Sequence, residues 1–207
     1  MSSRLLPTLL VATFNAGKIR EIQSLVEAIP CRVLGLESLQ PVEPSREDGN
    51  TFEANARQKA IYYSQHFPHL TLADDSGLVI DALGGQPGVN SARFVSASAT
   101  DRRRCQEILR QLETVPDQKR NARFVCCLAV AKSGRVLKVF KGTVEGLIAR
   151  EPRGKNGFGY DPIFLIPELG RTTAELTPDE KNRVSHRGEA MRKFKAWLES
   201  TFEREPE

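Results

Sequence analysis

The sequence predicts an α/β fold, a mixed sheet flanked by helices, on three observations. An apolar run of strand length, Thr8 to Phe14, passes directly into a segment with helical spacing. Two further strand-like runs, Ala122 to Ala131 and Val136 to Val144, are joined by Lys132-Ser133-Gly134-Arg135, a hairpin signal that makes the sheet partly antiparallel. Thr177-Pro178-Asp179-Glu180 opens a helix with a capping threonine, a proline in the first turn and a glutamate that closes a capping box. The 207 residues accommodate one large domain, or two lobes of one, with ample core.

Taken in order, Thr8 to Phe14 reads as a strand of a sheet covered on both faces, because it is apolar without alternation. Asn15-Ala16-Gly17-Lys18 follows, and Ile19, Ile22, Leu25, Val26 and Ile29 then recur at helical spacing. The first helical amides point beyond the strand, where helix N-termini attract phosphate. Thr13, Asn15 and Lys18 add polar groups there, although on this segment alone Asn15 as a plain cap beside an exposed lysine is the simpler reading. It is not a Walker A loop, which needs Ser or Thr where Ile19 stands. Cys31 to Gly35 forms a second strand candidate.

Pro41 and Pro44 mark a loop ending in Glu47-Asp48-Gly49-Asn50. Asn50 and Glu53 have capping-box spacing for a helix from Thr51 to about His66, and Asn55 and Lys59 lie one turn apart on it. Leu70 to Leu78 is an apolar run with two carboxylates at its end, Asp74 and Asp75, turned out by Ser76-Gly77. Paired carboxylates where a strand ends fit a hard cation such as magnesium, and Asp-Ser-Gly is equally a common turn. Gly84 to Gly88 is a loop leading into Ser91-Ala92-Arg93-Phe94. Asp101 to Leu112 is a helix with Cys105, Ile108, Leu109 and Leu112 on one side, and Arg102-Arg103-Arg104 as a solvated face. Arg153 to Pro162 is the densest glycine stretch, and its aromatics Phe158 and Tyr160 can either stack on a base or plug the core. Ser185-His186-Arg187-Gly188 interrupts the helix opened at Thr177. A last helix runs from Ala190 to Phe202 with Met191, Phe194, Trp197 and Leu198 as its apolar stripe.

Composition narrows the function. The chain is 40% hydrophobic and 27% charged, ordinary for a folded soluble protein. A net charge of +4, dispersed rather than clustered, fits a small polyanionic substrate and lacks the dense basic stripe of a nucleic-acid binder. No apolar run approaches a membrane span, and Met1 to Pro7 is too short for a signal peptide. Four cysteines without CxxC spacing read as reduced, buried thiols of a cytoplasmic protein. His66 and His69 lack supporting cysteines and read as surface residues rather than a zinc site.

Six motifs then resemble one family. Thr13-Phe14-Asn15-Ala16-Gly17-Lys18, Glu47 to Phe52, Ala73 to Leu78, Ser91 to Phe94, Phe158-Gly159-Tyr160-Asp161-Pro162 and Ser185 to Gly188 occur in order over nearly the whole chain. Together they are similar to the inosine/xanthosine triphosphate pyrophosphatases. The resemblance implies a single nucleoside triphosphate pyrophosphatase domain over residues 1–207, with an elongated twisted sheet, two lobes around a central cleft, and a homodimer. It implies hydrolysis of inosine, deoxyinosine and xanthosine triphosphates to monophosphate and pyrophosphate. It places Thr13, Phe14, Asn15, Ala16, Gly17 and Lys18 on the triphosphate, Mg2+ on Asp75 with Glu47 as a second acidic contact, and makes Asp75 the proton acceptor. Ser76, Phe158, Gly159, Tyr160, Asp161, Lys181, His186 and Arg187 surround the nucleotide, while Lys59 and Arg93 support the site. Two other readings compete: a nucleotide-binding regulatory module without catalysis, against which both acidic contacts speak, and a Maf-type pyrophosphatase, against which the last two motifs speak.

Overall fold

The computed structural model describes residues 7–26, 31–39 and 42–202. The expectations placed on residues 1–6, Ile29 and Pro41 lie outside the described residues. Seven strands form one mixed sheet: β1 (Thr8–Ala12), β2 (Arg32–Gly35), β3 (Leu70–Ile80), β4 (Asn121–Lys132), β5 (Arg135–Ile148), β6 (Phe164–Ile166) and β7 (Arg171–Thr172), in the spatial order β2-β1-β3-β4-β5-β6-β7. β1 pairs in parallel with β2 and β3, and β6 pairs antiparallel with β5 and β7. The expected hairpin joins β4 to β5 through Ser133-Gly134. Both residues have positive φ, 50° and 75°, as a tight turn matched to strand twist requires.

The helices are α1 (Ala16–Val26), α2 (Phe52–Ser64), α3 (Asp101–Gln111), α4 (Pro178–Val184) and α5 (His186–Phe202). Among the described residues no helix is long and apolar enough to cross a membrane. The chain divides into two units. The first comprises the described parts of Met1–Asp75, Cys126–Lys141 and Glu189–Glu207, and the second Ser76–Val125 and Gly142–Gly188. Each has its own core. In the first, Leu9 and Val11 of β1 and Ile22 and Val26 of α1 pack with Leu128, Val130, Met191, Phe194 and Leu198, so the predicted stripe of α5 is core. In the second, Leu78, Ile80, Ile108, Leu112, Phe124, Ile163 and Phe164 close around Tyr160. The apolar face of α3 is therefore core too. Cys126 and Cys127 are free and buried, as is Cys105, whereas Cys31 is only half-buried.

Four of the differences from the sequence reading bear on the site, while β5 also runs on to Ile148 and α2 ends at Ser64. β1 stops at Ala12, because the Thr13 amide turns back to the Val11 carbonyl at 3.2 Å. α2 is capped by Thr51, whose hydroxyl accepts from the Ala54 amide at 3.1 Å, not by Asn50. Glu53 is thereby released to pair with Arg57 one turn on. α5 begins at His186 rather than Ala190, since Ser185 Oγ accepts from the Gly188 amide at 3.0 Å and the break is confined to Ser185.

The fourth difference concerns the paired carboxylates. β3 does not end at Asp74 and Asp75 but continues through them to Ile80. What ends is its neighbour: pairing with β1 runs from Leu9↔Leu70 to Ala12↔Ala73 and stops there. The two carboxylates thus lie immediately beyond the carboxyl end of β1, the place in a parallel sheet where ligands collect.

Candidate active site

In the first unit, the short link from β1 to α1 is held locally. The Asn15 amide donates to Thr13 Oγ1 at 3.2 Å, and Asn15 Oδ1 caps α1 by accepting from the Lys18 amide at 3.0 Å. The side chain of Lys18 reaches β3, where its Nζ lies 2.5 Å from Asp74 Oδ1 and 3.4 Å from the Asp74 carbonyl. Lys59 of α2 meets the same carbonyl at 3.2 Å and pairs with Glu47 at 2.7 Å. Asn55, one turn before Lys59, spans the loop and the strand. Its amide nitrogen donates to Asp75 Oδ2 at 3.1 Å, and its oxygen accepts from the Gly49 amide at 2.7 Å. The spacing of Asn55 and Lys59 indeed puts both on one face.

Asp74 and Asp75, adjacent and both buried, experience opposite surroundings. Asp74 has the Lys18 ammonium against one oxygen and the Cys126 thiol 3.3 Å from the other. Asp75 has only the Asn55 amide within hydrogen-bonding distance among the described residues. Burial pushes its carboxyl up to about 6, despite the opposing pull of Lys18, Lys59 and Asn55, and the Glu47 carboxylate adds to the rise. A carboxyl titrating near neutrality is suited to accept a proton from water.

In the second unit, Ser76 accepts a hydrogen bond from Arg187 Nη2 at 2.8 Å. Arg187, at the start of α5, is among the largest fully buried side chains of the molecule. Its neighbour His186 is stacked on Phe124, 4.8 Å between ring centroids and 12° from parallel. Lys181 of α4 is buried against the carboxylate of Asp161, and Asp161 is held in turn by Thr173 Oγ1 at 2.8 Å and the Phe158 amide at 2.8 Å. Gly157 sits at φ +75°, and a Cβ there would come within 2.0 Å of Asp161 Oδ2, so only glycine allows this approach. The two aromatics of the glycine stretch take different roles. Tyr160 is core, its hydroxyl donating to the Ser91 carbonyl at 2.8 Å. The half-buried Phe158 ring has Lys181 Nζ 5.1 Å and Arg187 Cζ 5.7 Å from its centroid. Phe14 and Arg93 are exposed.

Residues 9–197 match the model of the Ham1 family. The chain belongs to the Ham1 family. It is 47% identical over 186 residues to a protein of Geobacillus kaustophilus named dITP/XTP pyrophosphatase, covering 90% of this chain and 91% of that one. It is 44% identical to the Bacillus subtilis protein of the same name, covering 92% and 96%. Among solved structures, a HAM1 protein from Coxiella burnetii superposes with a TM-score of 0.83 at 41% identity, covering 94% of this chain and 100% of that one. The seven-stranded mixed sheet with flanking helices is thus a Ham1 fold.

In this Ham1 chain two contacts, of Cys126 and Thr173, escaped the motif reading, and Asp74, read as one of a carboxylate pair, takes a role of its own. Asp74 gathers two lysines, Cys126 touches its carboxylate, and Thr173 holds Asp161. For Asp74 the signal was present, since two charges so close in an apolar strand each require a partner. The other two rest on contacts across 52 and 12 residues that no local spacing encodes. The donor set also fits magnesium. Among the described residues no group of three or more His, Cys, Asp or Glu forms a metal cage, but magnesium keeps several waters and takes one or two carboxylates plus substrate phosphates. Glu47 and the desolvated Asp75, close enough for one charge to act on the other, would supply those two carboxylates.

Proposed function

We propose that the chain hydrolyses purine nucleoside triphosphates bearing deaminated bases, inosine, deoxyinosine and xanthosine triphosphates, to the monophosphate and pyrophosphate. The observation that carries this is Asp75: a buried carboxyl raised to about 6 beside two lysines, in a chain whose relatives are named for that activity. Water attacks the α-phosphorus, the bond to the bridging oxygen breaks, and pyrophosphate leaves. Asp75 accepts the water's proton. Thr13 to Lys18, with the N-terminus of α1, takes the phosphates. An ammonium has three donors, and Lys18 directs only two toward Asp74. Phosphoryl chemistry of this kind depends on positioning and charge more than on covalent help. Glu47 and Asp75 would hold the magnesium ion, which supplies further neutralisation of the triphosphate when bound.

Base selection falls to the second unit. Phe158 supplies a stacking face, and Lys181 and Arg187 supply donors that accept nothing. Hypoxanthine and xanthine offer a carbonyl oxygen at position 6, whereas adenine offers an amino group. A donor aimed there is satisfied by inosine triphosphate and left unpaired by adenosine triphosphate, at about 1–3 kcal/mol for each buried group. The reading includes a homodimer acting on the free nucleotide pool of the cytoplasm, with no nucleic-acid or membrane partner. Pyrophosphate release across a triphosphate panel tests it. Rapid turnover of inosine and xanthosine triphosphates with pyrophosphate as product is expected, and tight binding without turnover would point instead to a regulatory module.

A further inference from the structure

The segment that carries Phe158 has no strand or helix pairing of its own. From Arg153 to Tyr160 it contains three glycines with positive φ, Gly154, Gly157 and Gly159. Its position therefore depends on individual tethers. Two of them converge on a single residue, Gly159, from one helix. The Gly159 amide donates to Asp101 Oδ2 at 2.7 Å, and the Gly159 carbonyl accepts from Cys105 Sγ at 3.4 Å. Asp101 and Cys105 are i and i+4 on α3 and so share one face. The other oxygen of Asp101 is fixed by Arg104 Nη1 at 2.9 Å, an arginine whose side chain is largely buried. Burial and the nearby Asp101 carboxylate keep the Cys105 thiol protonated, pushing it up to about 12, so it stays a donor. On the other side of Phe158, its own amide is held by Asp161. The phenylalanine is thus clamped at both flanking peptides.

We infer that Asp101, braced by Arg104, is a positioning residue for base recognition: it fixes the Gly159 peptide and thereby holds the Phe158 ring where a purine stacks. This rests on the reading of Phe158 as the base platform. Asp101 never touches the substrate, so its removal must act on the base end of the nucleotide and leave the phosphate end alone.

The experiment compares wild type, Asp101→Ala, Asp101→Asn, Phe158→Ala and the double variant Asp101→Ala/Phe158→Ala. It measures kcat and KM for inosine triphosphate and the inhibition constant of inorganic tripolyphosphate, which carries no base. Asp101→Ala is expected to raise KM about fivefold to tenfold, within the range for a hydrogen bond to a charged group that is partly exposed. It should leave kcat and the tripolyphosphate constant within about twofold. Asp101→Asn, which keeps an acceptor oxygen, should recover most of the loss. In the Phe158→Ala background Asp101→Ala should add nothing, because residues that act through one another are not additive. If Phe158→Ala leaves KM unchanged, the base-platform reading fails and this inference with it. If Phe158→Ala weakens binding while Asp101→Ala does not, or if Asp101→Ala weakens tripolyphosphate equally, the clamp alone is overturned.

Discussion

The charged groups of the first unit and those of the second are arranged on different principles. In the first, Lys18 and Lys59 converge on Asp74 while its neighbour Asp75 has, among the described residues, a single amide donor and a carboxyl displaced to about 6. In the second, Lys181 and Asp161 satisfy one another, Thr173 and the Phe158 amide complete the carboxylate, and Arg187 rests on the Ser76 hydroxyl. The first set retains an electrostatic imbalance at Asp75 that a cation or a proton relieves. The second is held in place by fixed partners, so a ligand is discriminated by whether its base pairs or leaves unpaired the donors aimed at it. Under the proposed function chemistry and selection fall to different side chains, and each can be broken separately.

The largest effect should come from removing metal. Exhaustive chelation is expected to reduce pyrophosphate release to background, with recovery on adding magnesium. Full activity in chelator would show that Glu47 and Asp75 hold no required ion. Zinc should not replace magnesium, because the donors are carboxylate oxygens. Next, Arg187→Ala should lower the ratio of kcat/KM for inosine triphosphate over adenosine triphosphate roughly tenfold to a hundredfold, the worth of one buried donor. A constant ratio, with both values falling together, would move Arg187 from the base to a group common to both substrates.

Stability sharpens the contrast within the first set. The folded-state value of Asp75, about 6, lies above its ordinary value near 3.9. Folded protein therefore binds more protons than unfolded protein between about pH 4 and pH 6, and stability falls as pH rises through that window. The difference corresponds to about 3 kcal/mol. In metal-free protein Asp75→Asn should raise the unfolding free energy at pH 8 by up to that amount and change little at pH 3.5. Asp74→Asn should do the opposite at pH 8, costing about 3 kcal/mol by leaving Lys18 without its carboxylate. Denaturant titration at the two pH values reads both signs.

The motifs exposed much of this in the sequence. The strand–turn–helix start, the hairpin at Ser133-Gly134 and the cap at Thr177 are local, and local spacing specifies them. The continuation of β3 through Asp74 and Asp75 was not legible, because Asp-Ser-Gly favours a turn unless neighbouring strands impose extension, and the limit of pairing is set by β1. The role of Tyr160 was open for a similar reason. Only the core of the second unit and the distant Ser91 carbonyl decide that it is buried. The tether of Gly159 to α3 joins residues 58 positions apart and has no sequence signature.

The central claim is that Asp75 carries the chemistry and Asp74 organises the lysines around it. Steady-state turnover of inosine triphosphate by Asp75→Asn and Asp74→Asn, both confirmed folded, tests this directly. Asp75→Asn keeps the shape and the Asn55 contact but removes the proton acceptor, so kcat should fall at least ~100-fold, the lower range for losing a general base. Asp74→Asn should lose less. If Asp75→Asn turns over normally while Asp74→Asn is inactive, the roles given to the two carboxylates are reversed.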